Sequence, residues 1–457
     1  MGGRRQKNQI ELAFTWSGTG EARTAARKGT EPSLARYESE RLAESERLME
    51  DACEARNLKQ ALRRVKSNGG SAGIDGMKVE ELAQWLIANW RTIREELLTG
   101  RYRPTTVKRV EIGKPDGGTR KLGVPTVVDR FVQQAVLQVL QSIWEPTFSE
   151  SSYGFRPKRS AHEAVETAQR HIREGRRWVV DIDLEKFFDR VNHDRLMARV
   201  STRVRDKRML GLIRGFLTAG VLEGGLISPT DEGAPQGGPL SPLLSNIVLD
   251  ELDEELEKRG HAFVRYADDC NVYVRSERAG QRVMQSLRAL ITNRLRLRIN
   301  EQKSAVARSH QRKFLGFSFT SQKQARRRIA PKAVERFKAR IRELTGRRRG
   351  HALKAIISEL NLYLNGWKGY FAFCETPSVL KELDGWIRRR LRCYLWKQWK
   401  KPRRRRAALI ELGVGPDLAR RIGASGKGPW HISGYLGDIL TPGYFDSLHL
   451  TRLVALA

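Results

Sequence analysis

Two short stretches bring carboxylates to the ends of apolar runs. The first, Trp178-Val-Val-Asp-Ile-Asp-Leu-Glu-Lys-Phe-Phe-Asp189, reads as a strand that delivers acids into a turn ahead of a helix around Asp194 to Val200. The second, Ala262-Phe-Val-Arg-Tyr-Ala-Asp-Asp-Cys-Asn-Val-Tyr-Val274, reads as a hairpin in which two β-rich runs flank Asp268-Asp269 at the tip. Either cluster alone has an ordinary explanation, because aspartate at a strand end satisfies local backbone donors. Together they imply more. Asp183 and Asp268 are 85 residues apart in sequence, and neighbouring strands of one sheet would let them hold two Mg2+ ions about 4 Å apart. Carboxylate oxygens match the hardness of Mg2+. Such a pair suits nucleotidyl transfer, one ion lowering the pKa of a primer 3′-hydroxyl and the other neutralising the leaving pyrophosphate.

The elements that must position these acids are legible in outline. Residues 1 to 45 are polar. Beyond them Asn57 is placed to cap a helix carrying Leu58, Ala61, Leu62 and Val65, which Asn68-Gly-Gly-Ser-Ala-Gly breaks. Val107, Val110 and Ile112 precede Lys114-Pro-Asp-Gly-Gly-Thr-Arg120, and Leu122 and Val124 follow, the pattern of a hairpin with a cation at each end of its turn. Phe131, Val132, Ala135, Val136, Val139, Leu140 and Ile143 repeat at helical spacing. Later in the chain three amphipathic patterns predict helices, marked by Val334 to Leu344, Leu353 to Leu364 and Leu380 to Leu391.

Charge narrows the partners. Lys and Arg number 85 against 52 Asp and Glu, a net charge of +33 on 457 residues, which attracts a polyanion over a wide face. Residues 321 to 457 hold 30 basic and 10 acidic residues, with Arg388 to Arg390 and Arg403 to Arg406 interleaved among Trp386, Trp396 and Trp399. A basic run is often only a solvated face, but guanidinium groups beside aromatic rings also supply phosphate contacts and base-stacking surfaces. Mean hydropathy is −0.53 and no apolar stretch is long enough to span a bilayer, so a membrane partner is not expected. The start is basic without the apolar run of a signal peptide, so the expected location is the cytoplasm, in association with the nucleoid through nucleic acid. Cys53, Cys270, Cys374 and Cys393 are widely separated, excluding a disulfide scaffold or a zinc module.

Between about residue 50 and 430 the chain resembles the reverse transcriptase/maturase proteins encoded by group II introns. The resemblance rests on an ordered series: Gly70-Ser-Ala-Gly-Ile-Asp-Gly76, the Lys114 to Pro125 hairpin, Ser152-Tyr-Gly-Phe-Arg-Pro157, Val180 to Asp189, Gly233-Ala-Pro-Gln-Gly-Gly-Pro-Leu-Ser-Pro242, Tyr266-Ala-Asp-Asp269, Asn300-Glu-Gln-Lys-Ser304 and Phe314-Leu-Gly-Phe317. It implies an α+β right-hand polymerase with fingers, an antiparallel-sheet palm, a three-helix thumb and a short basic carboxyl-terminal segment. The corresponding domains are a polar extension at 1 to 45, an amino-terminal extension at 46 to 105, fingers and palm at 106 to 325, thumb or maturase domain at 326 to 400, and a DNA-binding segment at 401 to 457.

The resemblance also implies roles. Asp183, Asp268 and Asp269 become the catalytic acids and, with the Leu184 carbonyl, the ligands of two Mg2+ ions; Asp181 is structural. Lys114 and Arg120 resemble the residues that grip the incoming triphosphate, the alternative being a solvated hairpin. Phe188 resembles the plate under the incoming sugar that excludes a ribose 2′-hydroxyl, the alternative being core packing beside Phe187. Gln236 sits in a Gly/Pro-rich loop near nucleotide or template, and Lys303 resembles the lysine that protonates pyrophosphate, with a plain salt bridge as its alternative. Arg388, Arg389, Arg390, Trp396, Lys397, Trp399, Arg403 and Arg404 are expected on the nucleic-acid face. The implied partners are intron RNA, an RNA template with a DNA primer, target DNA and deoxynucleoside triphosphates. With no CxxC pair or His-rich nuclease motif after residue 400, the chain resembles the compact type lacking the HNH endonuclease, as in the class C lineage. Two alternatives stay open: a splicing-only RNA-binding maturase, and a retron, diversity-generating or CRISPR-associated reverse transcriptase.

Overall fold

The computed structural model describes residues 46–113, 118–223, 226–228, 232–234 and 236–454. In chain order the elements are α1 (Leu48–Ala52), α2 (Ala55–Asn68), α3 (Leu82–Leu98), β1 (Val107–Gly113), β2 (Thr119–Val124), α4 (Val127–Trp144), α5 (Ala161–Arg173), β3 (Trp178–Ile182), α6 (His193–Ser201), α7 (Lys207–Thr218), β4 (Val221–Glu223), β5 (Leu226–Ser228), α8 (Ser241–Lys258), β6 (Ala262–Tyr266), β7 (Asp269–Val274), α9 (Glu277–Ala289), β8 (Ala305–Arg308), β9 (Phe317–Phe319), β10 (Arg327–Ile329), α10 (Pro331–Leu344), α11 (Leu353–Phe371), α12 (Ser378–Gln398), α13 (Pro402–Glu411), α14 (Pro416–Gly423), α15 (Pro429–Tyr435) and α16 (Pro442–Ser447). They form two units, one ending at Ala164 and resuming over Trp178–Val306, the other comprising Val165–Arg177 and Ala307–Ala457.

The first unit is built on two sheets. One runs β2-β1-β4-β5, with β1 antiparallel to β2 and parallel to β4. The other runs β6-β7-β3-β8, with β7 antiparallel to both β6 and β3. Alternation decides the two faces of the second sheet. Val180 and Ile182 of β3 and Cys270 and Val272 of β7 are buried on one side, in an apolar cluster that includes Leu249 and Leu252 of α8 and Val283 and Leu287 of α9. Asp181 and Asp183 are out of phase with them and fall on the opposite side. The long α4 packs into the same cluster through Phe131, Val132, Val136, Leu140 and Trp144. Its first turn is capped by Thr126, whose hydroxyl accepts from Asp129 N at 3.1 Å.

Asn57 corrects an expectation. It is not the cap of α2, which begins at Ala55 after Glu54. Instead Asn57 lies inside the helix, where its amide donates to Ala52 O at 2.9 Å and to Ala135 O at 3.0 Å, tying α2 to α4. The helix does stop where the glycines begin: Gly69 takes a left-handed φ of 60° and donates to Val65 O.

The second unit contains the three predicted helices, α10 to α12. Phe337, Ile341, Leu360, Leu364, Leu391 and Tyr394 are all essentially solvent-free. Residues 401 to 454 do not lie apart from them: Leu409, Ala419, Ile432, Leu436, Leu440, Phe445 and Leu453 join the same apolar cluster. The last described turn is held by Asp384 of α12, whose carboxylate accepts from Leu453 N at 3.0 Å. Among the described residues no helix is long and apolar enough to cross a membrane.

Candidate polymerase active site

Asp183 is the first residue past β3. Ile182 stands opposite Cys270, so continuation of that register sets Asp183 beside Asp269. Its backbone is gripped from both sides. Asp183 N donates to Ser304 Oγ at 3.0 Å, Ser304 Oγ donates back to Asp183 O at 3.3 Å, and Asn300 N donates to the same carbonyl at 2.8 Å. The Asn300 to Ser304 segment thereby also delivers Lys303, whose Nζ is 3.8 Å from Asp183 Oδ2 with both side chains open to solvent. Leu184 is buried and bridges Ile299. Ser304 and Asn300 were missed as functional residues, although both lie within a recognised motif.

Asp268 occupies the two-residue turn between β6 and β7, where Tyr266 pairs with Asp269 and Ala267 takes a φ of 57°. Its carboxyl is pushed above the usual range, first by burial and then by the charge of Asp183; its own backbone amide, Arg120 and Arg265 act the other way. Asp183, Asp268 and Arg120 therefore share one electrostatic neighbourhood. Lys114 lies outside the described residues.

The residues expected to meet the nucleotide are brought together by backbone bonds. Ala234 N donates to Phe188 O at 2.7 Å and Gly233 N to Val191 O at 2.8 Å, while Gly123 N on β2 donates to Gln236 O at 2.7 Å. These bonds join the strand carrying Arg120, the loop carrying Gln236 and the turn carrying Phe188. Gly233 has a φ of 93°, and a Cβ there would stand 2.9 Å from Phe188 O, so only glycine fits. The Phe188 ring meets Phe187 edge-on at 5.2 Å and is only partly covered by the core.

Among the described residues no group of three or more His, Cys, Asp or Glu side chains is gathered to hold a metal ion. The donor chemistry nevertheless fits a hard divalent cation: Asp183 and Asp268 are carboxylates near enough that the charge of one raises the pKa of the other. A measurable consequence follows. A carboxyl that titrates higher in the folded than in the unfolded chain favours folding below its ordinary pKa, and that contribution is lost as pH rises through the raised value. At neutral pH the ionised Asp268 thus opposes folding of the metal-free chain. Asp268→Asn is expected to raise the melting temperature of that chain at neutral pH in calorimetry with chelator, with the gain fading as pH falls to the ordinary carboxylate range. A lower melting temperature at neutral pH would contradict this.

The second unit divides the expected nucleic-acid residues. Trp396 is 1% exposed and cannot stack on a base; Arg405 covers its ring at 4.4 Å. Arg389 lies over Trp430 at 4.1 Å and donates to Ser433 Oγ, and Arg390 donates to Thr345 Oγ1 at 2.6 Å. Trp396 is thus a correction, enclosed by the close packing of α12 against the helices that follow it, whereas Arg389 and Arg390 stay partly exposed while bonding within their own chain, Arg390 to Thr345 at the end of α10. Arg388 and Trp399 are half-buried, the latter edge-on to Trp396 at 6.3 Å. Lys397, Arg403 and Arg404 are exposed, as are Lys400 and Lys401 between them. Arg404 reaches Glu411 at 3.3 Å across a solvent-exposed gap, a pairing too weak to withhold it from phosphate.

Residues 112–319 match the family described as reverse transcriptase (RNA-dependent DNA polymerase), and residues 334–409 match the group II intron maturase-specific domain. Protein YkfC of Escherichia coli is 33% identical over 311 residues, 59% of this chain and 81% of that protein. The group II intron-encoded protein LtrA of Lactococcus lactis is 31% identical over 293 residues, 50% of this chain and 49% of LtrA, so the chain spans about half of that relative's length. Among solved structures, a partial Cas6-RT-Cas1–Cas2 complex matches with 25% identity over 54% of this chain and 42% of that one, at a TM-score of 0.35.

Proposed function

Because this chain belongs to the family of group II intron reverse transcriptases and maturases, we propose that it copies intron RNA into DNA and binds that RNA to assist splicing and mobility. The observation that carries the reading is the meeting of Asp183 and Asp268 at one end of a sheet, with Lys303 and Arg120 around them.

In this reading Asp183, Asp268, Asp269 and the Leu184 carbonyl are the residues that hold Mg2+, which when bound supplies activation of the primer 3′-hydroxyl and neutralisation of the pyrophosphate charge. The chain's own groups do the rest. Arg120, with Lys114, grips the triphosphate through charge-assisted hydrogen bonds. Phe188 lies under the sugar and excludes a 2′-hydroxyl by bulk, which favours deoxynucleotides. Lys303 offers the departing pyrophosphate a proton from Nζ. Residues 106 to 325 act as fingers and palm, 326 to 400 as thumb and maturase domain, and 401 to 457 as the DNA-binding segment. Splicing chemistry belongs to the RNA, and the protein favours the folded RNA by binding it more tightly than other conformers. The chain works in the cytoplasm, on nucleic acid.

Primer extension on an RNA template tests the reading. Deoxynucleotides with Mg2+ are expected to yield full-length cDNA, while ribonucleotides or chelator yield none. Absence of extension under all conditions would remove the polymerase assignment.

A further inference from the structure

The Ala267-Asp268 turn is held from outside its own hairpin. Residues 151 to 153 add themselves to β6: Arg265 N donates to Ser151 O and Tyr153 N donates to Arg265 O, both at 2.9 Å. The chain then runs directly against the turn. A Cβ on Gly154 would lie 2.2 Å from Ala267 N and 2.9 Å from Tyr266 C, both backbone atoms, so the turn rests where it does because that residue has no side chain. From beneath, Arg265 is wholly buried and pairs with the equally buried Asp253 of α8 at 2.5 Å. The same guanidinium donates through Nη1 to Ala267 O and to Asn246 Oδ1, each at 2.9 Å, and Asn246 Nδ2 donates to Gly154 O at 2.9 Å. A closed ring results: Arg265, Ala267, Gly154, Asn246 and back to Arg265.

A buried ion pair is a poor way to gain stability, since apolar side chains of similar volume do as well or better. What the planar guanidinium adds is direction, fixing several acceptors at once where a lysine would engage them as a point charge. We propose that this ring is a positioning device for polymerisation, with Gly154, Arg265 and Asn246 setting where the Asp268 carboxylate stands relative to Asp183. The proposal rests on the polymerase reading above. None of the three touches substrate; they act through the turn.

Gly154 provides the test, because its φ lies outside the left-handed region and alanine adds only a methyl group. In the full chain, Gly154→Ala is expected to lower kcat for primer extension about 30-fold or more, with the nucleotide KM and the primer–template Kd each within about threefold of wild type. Arg265→Lys is expected to show the same split and to need a higher Mg2+ concentration for half-maximal rate. A kcat within about threefold of wild type for Gly154→Ala, or an effect confined to KM, overturns the proposal. Should Gly154→Ala fail to fold, Asn246→Ala decides: a kcat reduced about tenfold supports the ring, and an unchanged one overturns it. If the wild-type chain extends no primer, the polymerase reading fails by itself. Paramagnetic Mn2+ titration then judges the ring: weaker binding in Gly154→Ala supports it and equal binding refutes it.

Discussion

Asp183→Ala and Asp268→Asn are each expected to lower primer extension by about 10³-fold or more, equivalent to ~4 kcal/mol of transition-state stabilisation. The two acids reach one sheet end from separate strands, and Asp268 already feels the charge of Asp183. Groups that act together on one reacting centre lose function together, so the double variant should be scarcely worse than either single one. Asp268→Asn keeps the shape and the backbone of the turn, which makes it the cleaner probe. Its affinity for intron RNA and its support of splicing should stay within about twofold of wild type. Synthesis retained within about tenfold in either variant would take that residue out of the site.

The second large effect concerns RNA affinity. Replacing Lys397, Lys400, Lys401, Arg403 and Arg404 together by glutamine is expected to weaken binding about 10²-fold or more near physiological salt, and to flatten the plot of log affinity against log salt. Each phosphate contact removed takes about 0.7 to 0.9 from the slope. All five are exposed at or near the junction of α12 and α13. Arg389→Gln and Arg390→Gln should behave differently, because these guanidiniums serve Trp430, Ser433 and Thr345 of their own chain. Their variants should melt earlier with the salt slope kept. An unchanged slope in the five-fold variant, measured by filter binding, would move the RNA surface elsewhere.

The acidic strand and hairpin were readable because apolar alternation breaks at charged residues, and the three long helices because their stripes persist over several turns. Arg265 was harder to see. It stands as one cation within Ala262–Tyr266, and propensity alone does not reveal that Asp253, from another element, meets it in the core. The carboxyl-terminal region misled for a different reason. Dense arginine hides apolar residues spread over four short helices, so no single period emerges. Composition likewise cannot tell which ring of a Trp/Arg cluster faces water: Trp396 is enclosed while Trp430 is 44% exposed. Asn57 shows the local version, a good capping residue outcompeted by a tertiary partner on α4.

The clasp of Asp384 on Leu453, together with the shared apolar cluster, means that the cationic surface and the helices beneath it are one cooperative object. Shortening the protein from α13 onward would remove Arg403 and Arg404 and, in the same cut, the apolar side chains that close the interior of α10 to α12. Adaptation of this region to a new nucleic acid must therefore proceed by exchanging outward-facing residues in place, since deletion would forfeit the scaffold that presents them.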